Sequence, residues 1–283
     1  MSASINHHRE GEGPPLVLLH GIGHHWQAWK PVIGTLAREF DVIACDSPGF
    51  GRSAPLTTGI EPTIPAYVDA FEWFFAELGL ERPHVAGNSM GGAIALELAR
   101  RRAVQSATAL SPAGFWTAPE LRFCQISLGA IGAIPSPARP LVAALARTRT
   151  GRVALFSQTF GYPTRLPAEE AVATLTDAWA SPVLADALDA FRHYRFDAPE
   201  ELRGTPVTIA WGKKDRLLPY RLQAPRARKL LPWATHVTLG AGHVPFYDDP
   251  AAVAEVVRAR ACSVVDGAIA HRRPPKAPTS RYG

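Results

Sequence analysis

Six short apolar runs constrain this chain more than any other feature. They read "LVLLH" (16–20), "DVIAC" (41–45), "PHVAGN" (83–88), "SATALS" (106–111), "TPVTIAWG" (205–212) and "THVTLG" (235–240). Such runs suit strands buried on both faces. Helical patterns separate them: "WQAWKPVIGTLAREF", "IPAYVDAFEWFFAELGL" (64–80) and "MGGAIALELARRRA" (90–103), with "PAAVAEVVRARA" (250–261) as a closing helix. Strand–helix alternation predicts an α/β chain with a mostly parallel, doubly wound sheet.

The alternation stops between 112 and 202. There, helical stretches are punctuated by Pro135, Pro137, Pro140, Pro163, Pro167 and Pro182. An insertion of this size between two core strands reads as a helical cap. The expected division is therefore a core of 1–111 and 203–265, a cap of 112–202 and a loose tail of 266–283, rich in proline and poor in apolar residues. At 283 residues and 47% hydrophobic content, there is ample material for one large core.

No apolar run approaches the ~18 residues that suggest a membrane span. The opening "MSASINHHREGEGPP" lacks the apolar centre of a signal peptide, so a cytoplasmic location is expected. Three widely spaced cysteines, Cys45, Cys124 and Cys262, give neither a disulfide framework nor a zinc pattern. The net charge of +5 is carried partly by Arg100, Arg101 and Arg102 and by the tail. No basic stripe with interleaved aromatics accompanies it, which argues against a nucleic-acid partner.

Chemistry concentrates at Gly87-Asn88-Ser89-Met90-Gly91, a G-x-S-x-G pattern between a strand and a helix. A sharp strand-to-helix turn exposes such a serine at the helix start, where free N–H groups favour developing negative charge. Gly87 and Gly91 make room for the close approach. A serine hydroxyl needs a base. On such a sheet the partners are expected in the order serine, acid, histidine, at carboxyl ends of later strands. Asp215 follows "VTIAW" and His243 follows "HVTLG". His243 would carry the proton, and Asp215 would fix its tautomer. Asp248 and Asp249 lie outside that order and are expected to cap the final helix, with Pro250 at its start.

Two backbone donors are needed for an oxyanion. Met90 supplies one candidate N–H, and Ile22 in the loop "HGIG" (20–23) the other. His20 and Gly21 are expected to shape that loop. His24 and His25 adjoin it, but no carboxylate or cysteine spacing completes a metal site.

Together, "LVLLHGIG", "DSPGFGRS", "VAGNSMGGAIAL", "WGKKDRLLP" and "GAGHVPFYDDP" resemble the successive signature segments of the α/β-hydrolase superfamily, from about residue 4 to 262. Within it, "DSPGFG" and "GNSMGG" are similar to serine esterases and to meta-cleavage-product hydrolases, which cut carbon–carbon bonds. The resemblance implies a cofactor-free serine hydrolase, with a small-molecule substrate held between core and cap. The cap follows the family's sixth strand. The family usually opens with an antiparallel strand ahead of "INHHREGEGPP", so the sheet is expected to be one edge strand short. The carbon–carbon group usually carries tryptophan after the histidine and arginine in the cap. Here Val244 follows His243, and "TDAWASPVLA" has no arginine. The expected activity is therefore a carboxylic-ester or lactone hydrolase, with carbon–carbon hydrolysis and non-hydrolytic ligand binding as alternatives. Cap aromatics Phe115, Trp116, Phe123, Phe156, Phe160, Tyr162 and Trp179 are candidates for an apolar pocket.

Overall fold

The computed structural model describes residues 4–272. Its strands are β1 (His7–Glu10), β2 (Pro15–Leu19), β3 (Asp41–Cys45), β4 (His84–Asn88), β5 (Ser106–Leu110), β6 (Val207–Gly212) and β7 (Thr235–Leu239). They form one sheet in the order β1-β3-β2-β4-β5-β6-β7. β1 pairs antiparallel with β3, and every other pairing is parallel. The sheet is thus the expected mostly parallel one, with a single antiparallel edge among the described residues.

Continuous apolar strands are explained by what covers each face. Helices α1 (Lys30–Leu36), α2 (Ile64–Glu77) and α3 (Met90–Arg100) follow the first strands. On β2, Val17 and Leu19 join a core with Phe71 and Phe75 of α2 and Ile94 and Leu98 of α3. Leu16 and Leu18 join the opposite core, with Val32 and Leu36 of α1. Successive side chains leave a strand on opposite faces, so a strand covered on both must be apolar throughout. The predicted helix at "WQAWKPVIGTLAREF" is shorter than expected. Trp26–Trp29 form a 3-10 turn, and α1 starts at Lys30 with proline in its first turn.

Between β5 and β6 the chain is helical: α4 (Ala118–Gly132), α5 (Arg139–Arg147), α6 (Arg149–Phe156), α7 (Ala168–Ala180) and α8 (Leu184–Ala190). Thr117 opens α4 with a capping box, its N–H donating to the Glu120 carboxylate at 2.8 Å. Thr148 ends α5 and caps α6, accepting from the Gly151 N–H at 2.9 Å. α9 (Tyr220–Leu230) and α10 (Pro250–Arg272) complete the fold. Val253 and Val257 of α10 lie in the same core as α1. α10 runs past Asp266, where a loose tail is expected, because no proline intervenes before Pro274. Residues 273–283 of the expected tail lie outside the described residues.

Candidate active site

β4 ends at Asn88 and α3 begins at Met90, which leaves Ser89 alone between strand and helix. Its backbone is at φ 55° and ψ −113°. That conformation is strained for a residue with a Cβ and persists only where the surroundings enforce it. The enforcement is visible on both sides. A Cβ on Gly87 would lie 2.0 Å from the Gly91 carbonyl oxygen, and one on Gly91 would lie 2.4 Å from that of Leu19. Only glycine permits this approach of strand and helix. The Met90 N–H is the first of α3 and has no acceptor within its own helix.

Asp215 and His243 come together from the ends of β6 and β7. His243 Nδ1 lies 2.8 Å from Asp215 Oδ2, and both side chains are buried. Asp215 Oδ1 accepts from the Leu217 and Leu218 N–H groups at 3.0 and 2.8 Å. With one carboxylate oxygen held by backbone, the other is aimed at the imidazole. The Nδ1–H tautomer follows, which leaves the Nε2 lone pair available. Ser89 and His243 line one cavity.

Asn88 has a part that its place beside Ser89 did not reveal. Its side-chain amide donates to the Leu110 carbonyl at 3.0 Å and to the His243 carbonyl at 2.9 Å, so it ties the turn to the histidine loop. Asp248 is a second such residue, and its expected helix-capping role is corrected. Asp249 does that work, accepting from the Ala252 N–H at 3.1 Å. The buried Asp248 carboxylate instead accepts from the Gly161, Tyr162 and Gly242 N–H groups at 2.7, 2.8 and 2.7 Å. It bolts the segment after α6 to the residue before His243. The Val244 N–H adds a bond to the Thr159 carbonyl at 2.8 Å.

On the opposite side, the loop 20–23 is held by His20. The Ser47 N–H donates to its Nε2 at 2.9 Å, so the proton sits on Nδ1 and is donated to the Gly21 carbonyl at 2.6 Å. Burial pushes this imidazole down to about 4, which keeps it neutral in that role. Gly21 and Ile22 line the cavity with Ser89. Asp46 braces the same region from "DSPGFGRS", accepting from the Trp26 N–H at 2.7 Å and the Arg52 N–H at 2.9 Å.

His24 also lines the cavity, and burial pushes it down to about 3. Its Nδ1 has no hydrogen-bond partner among the described residues. His25 instead pairs with Asp177 of α7. Among the described residues, no group of three or more potential ligands is placed to hold a metal.

The cavity measures about 60 Å³. Leu128 and Ile131 of α4, Phe156 of α6, Leu175 and Ala178 of α7, and Leu184 of α8 form its apolar roof. Among the described residues, no aspartate, glutamate, lysine or arginine lines it. Of the candidate aromatics only Phe156 reaches it. Phe115, Trp116 and Phe160 are packed into the cores, Trp179 donates to the Ile131 carbonyl, Tyr162 lies under the Lys214 ammonium, and Phe123 faces outward.

Residues 16–256 match the alpha/beta hydrolase family, and the chain belongs to it. It is 30% identical to an uncharacterized protein of Mycobacterium tuberculosis over 261 residues, 87% of this chain and 75% of that one. A membrane phospholipase A, a bacterial virulence factor, superposes with TM-score 0.73 at 26% identity, covering 94% of this chain and 86% of that one. An esterase from Thermogutta terrifontis shares the fold, with TM-score 0.71 at 22% identity over 92% and 93% of the two chains.

Proposed function

We propose that this α/β hydrolase cleaves small or medium apolar carboxylic esters or lactones through an acyl-enzyme. The observation that carries this reading is the buried Asp215–His243 pair, 2.8 Å apart, whose imidazole shares an uncharged cavity with Ser89. His243 Nε2 takes the Ser89 proton as Oγ bonds to the carbonyl carbon. The oxyanion is held by the Ile22 and Met90 N–H groups, with the N-terminus of α3 behind Met90. When the carbon–oxygen bond breaks, His243 returns the proton to the leaving alcohol. Water then attacks the acyl-enzyme by the same relay and frees Ser89. Asp215 keeps the imidazole oriented and balances its charge, itself remaining a carboxylate. The helices between β5 and β6 act as a cap that holds the apolar part of the substrate over Ser89.

The small volume of the cavity and its apolar roof support a short apolar acyl or alcohol group as its occupant. The absence of a cationic lining residue weighs against a dienoate carrying a carboxylate, the substrate of carbon–carbon hydrolysis. A fluorophosphonate probe is expected to label Ser89, and nitrophenyl esters of increasing chain length to show a preference for short acyl groups. Labelling at another residue, or faster turnover of a ring-fission dienoate than of any ester, overturns the reading.

A further inference from the structure

We infer that the outer face of α4, α5 and α6 docks on an anionic lipid surface. Such docking does not depend on which bond is cleaved in the cavity. Eight large hydrophobic side chains are exposed among the described residues, and five of them lie on these three helices: Phe123 and Ile126 of α4, Leu141 and Leu145 of α5, and Val153 of α6. Leu141 is 75% exposed and Ile126 61%. Scattered single apolar residues need no explanation, but a concentration on consecutive helices does.

Helix spacing shows two distinct faces. On α4, Cys124, Leu128 and Ile131 turn inward, the last two to the cavity roof. Phe123 and Ile126 turn outward. α4 therefore has work on both sides, and its outer stripe is not left over from packing.

Charge selects the occupant. From Leu121 to Ala168 there is no aspartate or glutamate, while Arg122, Arg139, Arg147, Arg149, Arg152 and Arg165 all lie there. Three of these are occupied: Arg139 donates to the Ile134 carbonyl, Arg152 to the Arg147 carbonyl and Arg165 to the Asp248 carbonyl. Arg122, Arg147 and Arg149 are exposed and have no ion-pair partner among the described residues. Exposed apolar residues flanked by unpaired arginines, with no acid among them, match the interface of an anionic bilayer. A second copy of the chain would bring the same positive charge to this face and be repelled.

The geometry fits lying on the membrane, not crossing it. No single helix among the described residues is long and apolar enough to span; α4 and the segment Ser136–Arg147 reach that length and apolarity only together, and they meet at a bend of 74°, which suits a pair lying along a surface. Docked this way, the bilayer lies about one helix diameter, ~10 Å, from the cavity roof.

Full-length protein is to be sedimented with phosphatidylcholine vesicles, with and without phosphatidylglycerol, at low and high salt. The expected result is binding to the phosphatidylglycerol vesicles that weakens with salt. Each interfacial arginine contributes about fivefold, so Arg147→Glu/Arg149→Glu is expected to weaken binding by roughly 25-fold or more. Leu141→Glu is expected to cost at least roughly tenfold. Tm and turnover of a water-soluble ester should be unchanged in both variants; if Leu141→Glu misfolds, the arginine variant alone decides. Failure to sediment with anionic vesicles overturns the inference, as does equal binding to neutral ones. So does sedimentation velocity showing a dimer that Leu141→Glu dissociates while vesicle binding persists. Loss of ester turnover with vesicle binding intact would count against the proposed activity alone.

Discussion

Ser89, Asp215 and His243 make separable demands on a substitution. Ser89→Ala removes the oxygen proposed to attack and is expected to lower kcat roughly 10⁴-fold or more without disturbing the fold, as steady-state turnover and a thermal melt will show. Asp215→Asn keeps the shape but offers an amide to Nδ1, favouring the wrong tautomer. A fall in kcat of roughly 10³–10⁴-fold is expected. Both partners were legible in sequence because their order along the chain and their place after apolar runs are local facts. Asn88 and Asp248 were not legible in their positioning roles. Their partners are backbone groups up to 155 residues away, at the His243 carbonyl, and no local pattern encodes such a contact. Nor did adjacent aspartates before Pro250 say which of the two would cap.

At the scale of elements, the predicted strands β2 to β6 were recovered because they are buried almost throughout and read as short, largely apolar runs; β7, at the other edge, is buried only at Leu239 and was legible from its alternating pattern. β1 escaped, since "HHRE" is polar and lies at the edge. Leu18 is fully buried in β2, and Leu18→Ala is expected to cost about 2–5 kcal/mol in a denaturant titration. Gly87→Ala must displace either β4 or α3, given a contact of 2.0 Å. It is expected to abolish turnover before it abolishes folding, as paired activity and circular dichroism measurements will show. The helices between β5 and β6 were legible only as helical. Their boundaries were hidden because exposed Leu141, Leu145 and Val153 blur the apolar periodicity that marks a buried stripe.

For the molecule as a whole, stability is tied to its buried imidazoles. His20, His24 and His84 are pushed down to about 4, 3 and 4, chiefly by burial. The unfolded chain binds these protons near 6.5, well before the native state does. Stability is therefore complete above that value and falls as pH drops from about 6.5 toward 4. Thermal melts across that range are expected to show Tm falling with pH, and His84→Gln to fall less steeply; a flat Tm profile would refute this. The acid-side weakness and the carboxylate of Asp248 act on the same scaffold. Because Asp248 holds Gly161, Tyr162 and Gly242 at once, the insert between β5 and β6 is not an interchangeable module. Anyone grafting that insert onto another hydrolase to transfer its selectivity must carry residue 248 with it, although it lies outside the transplanted stretch. A chimera lacking it would inherit the pocket walls but lose their registration with the His243 loop.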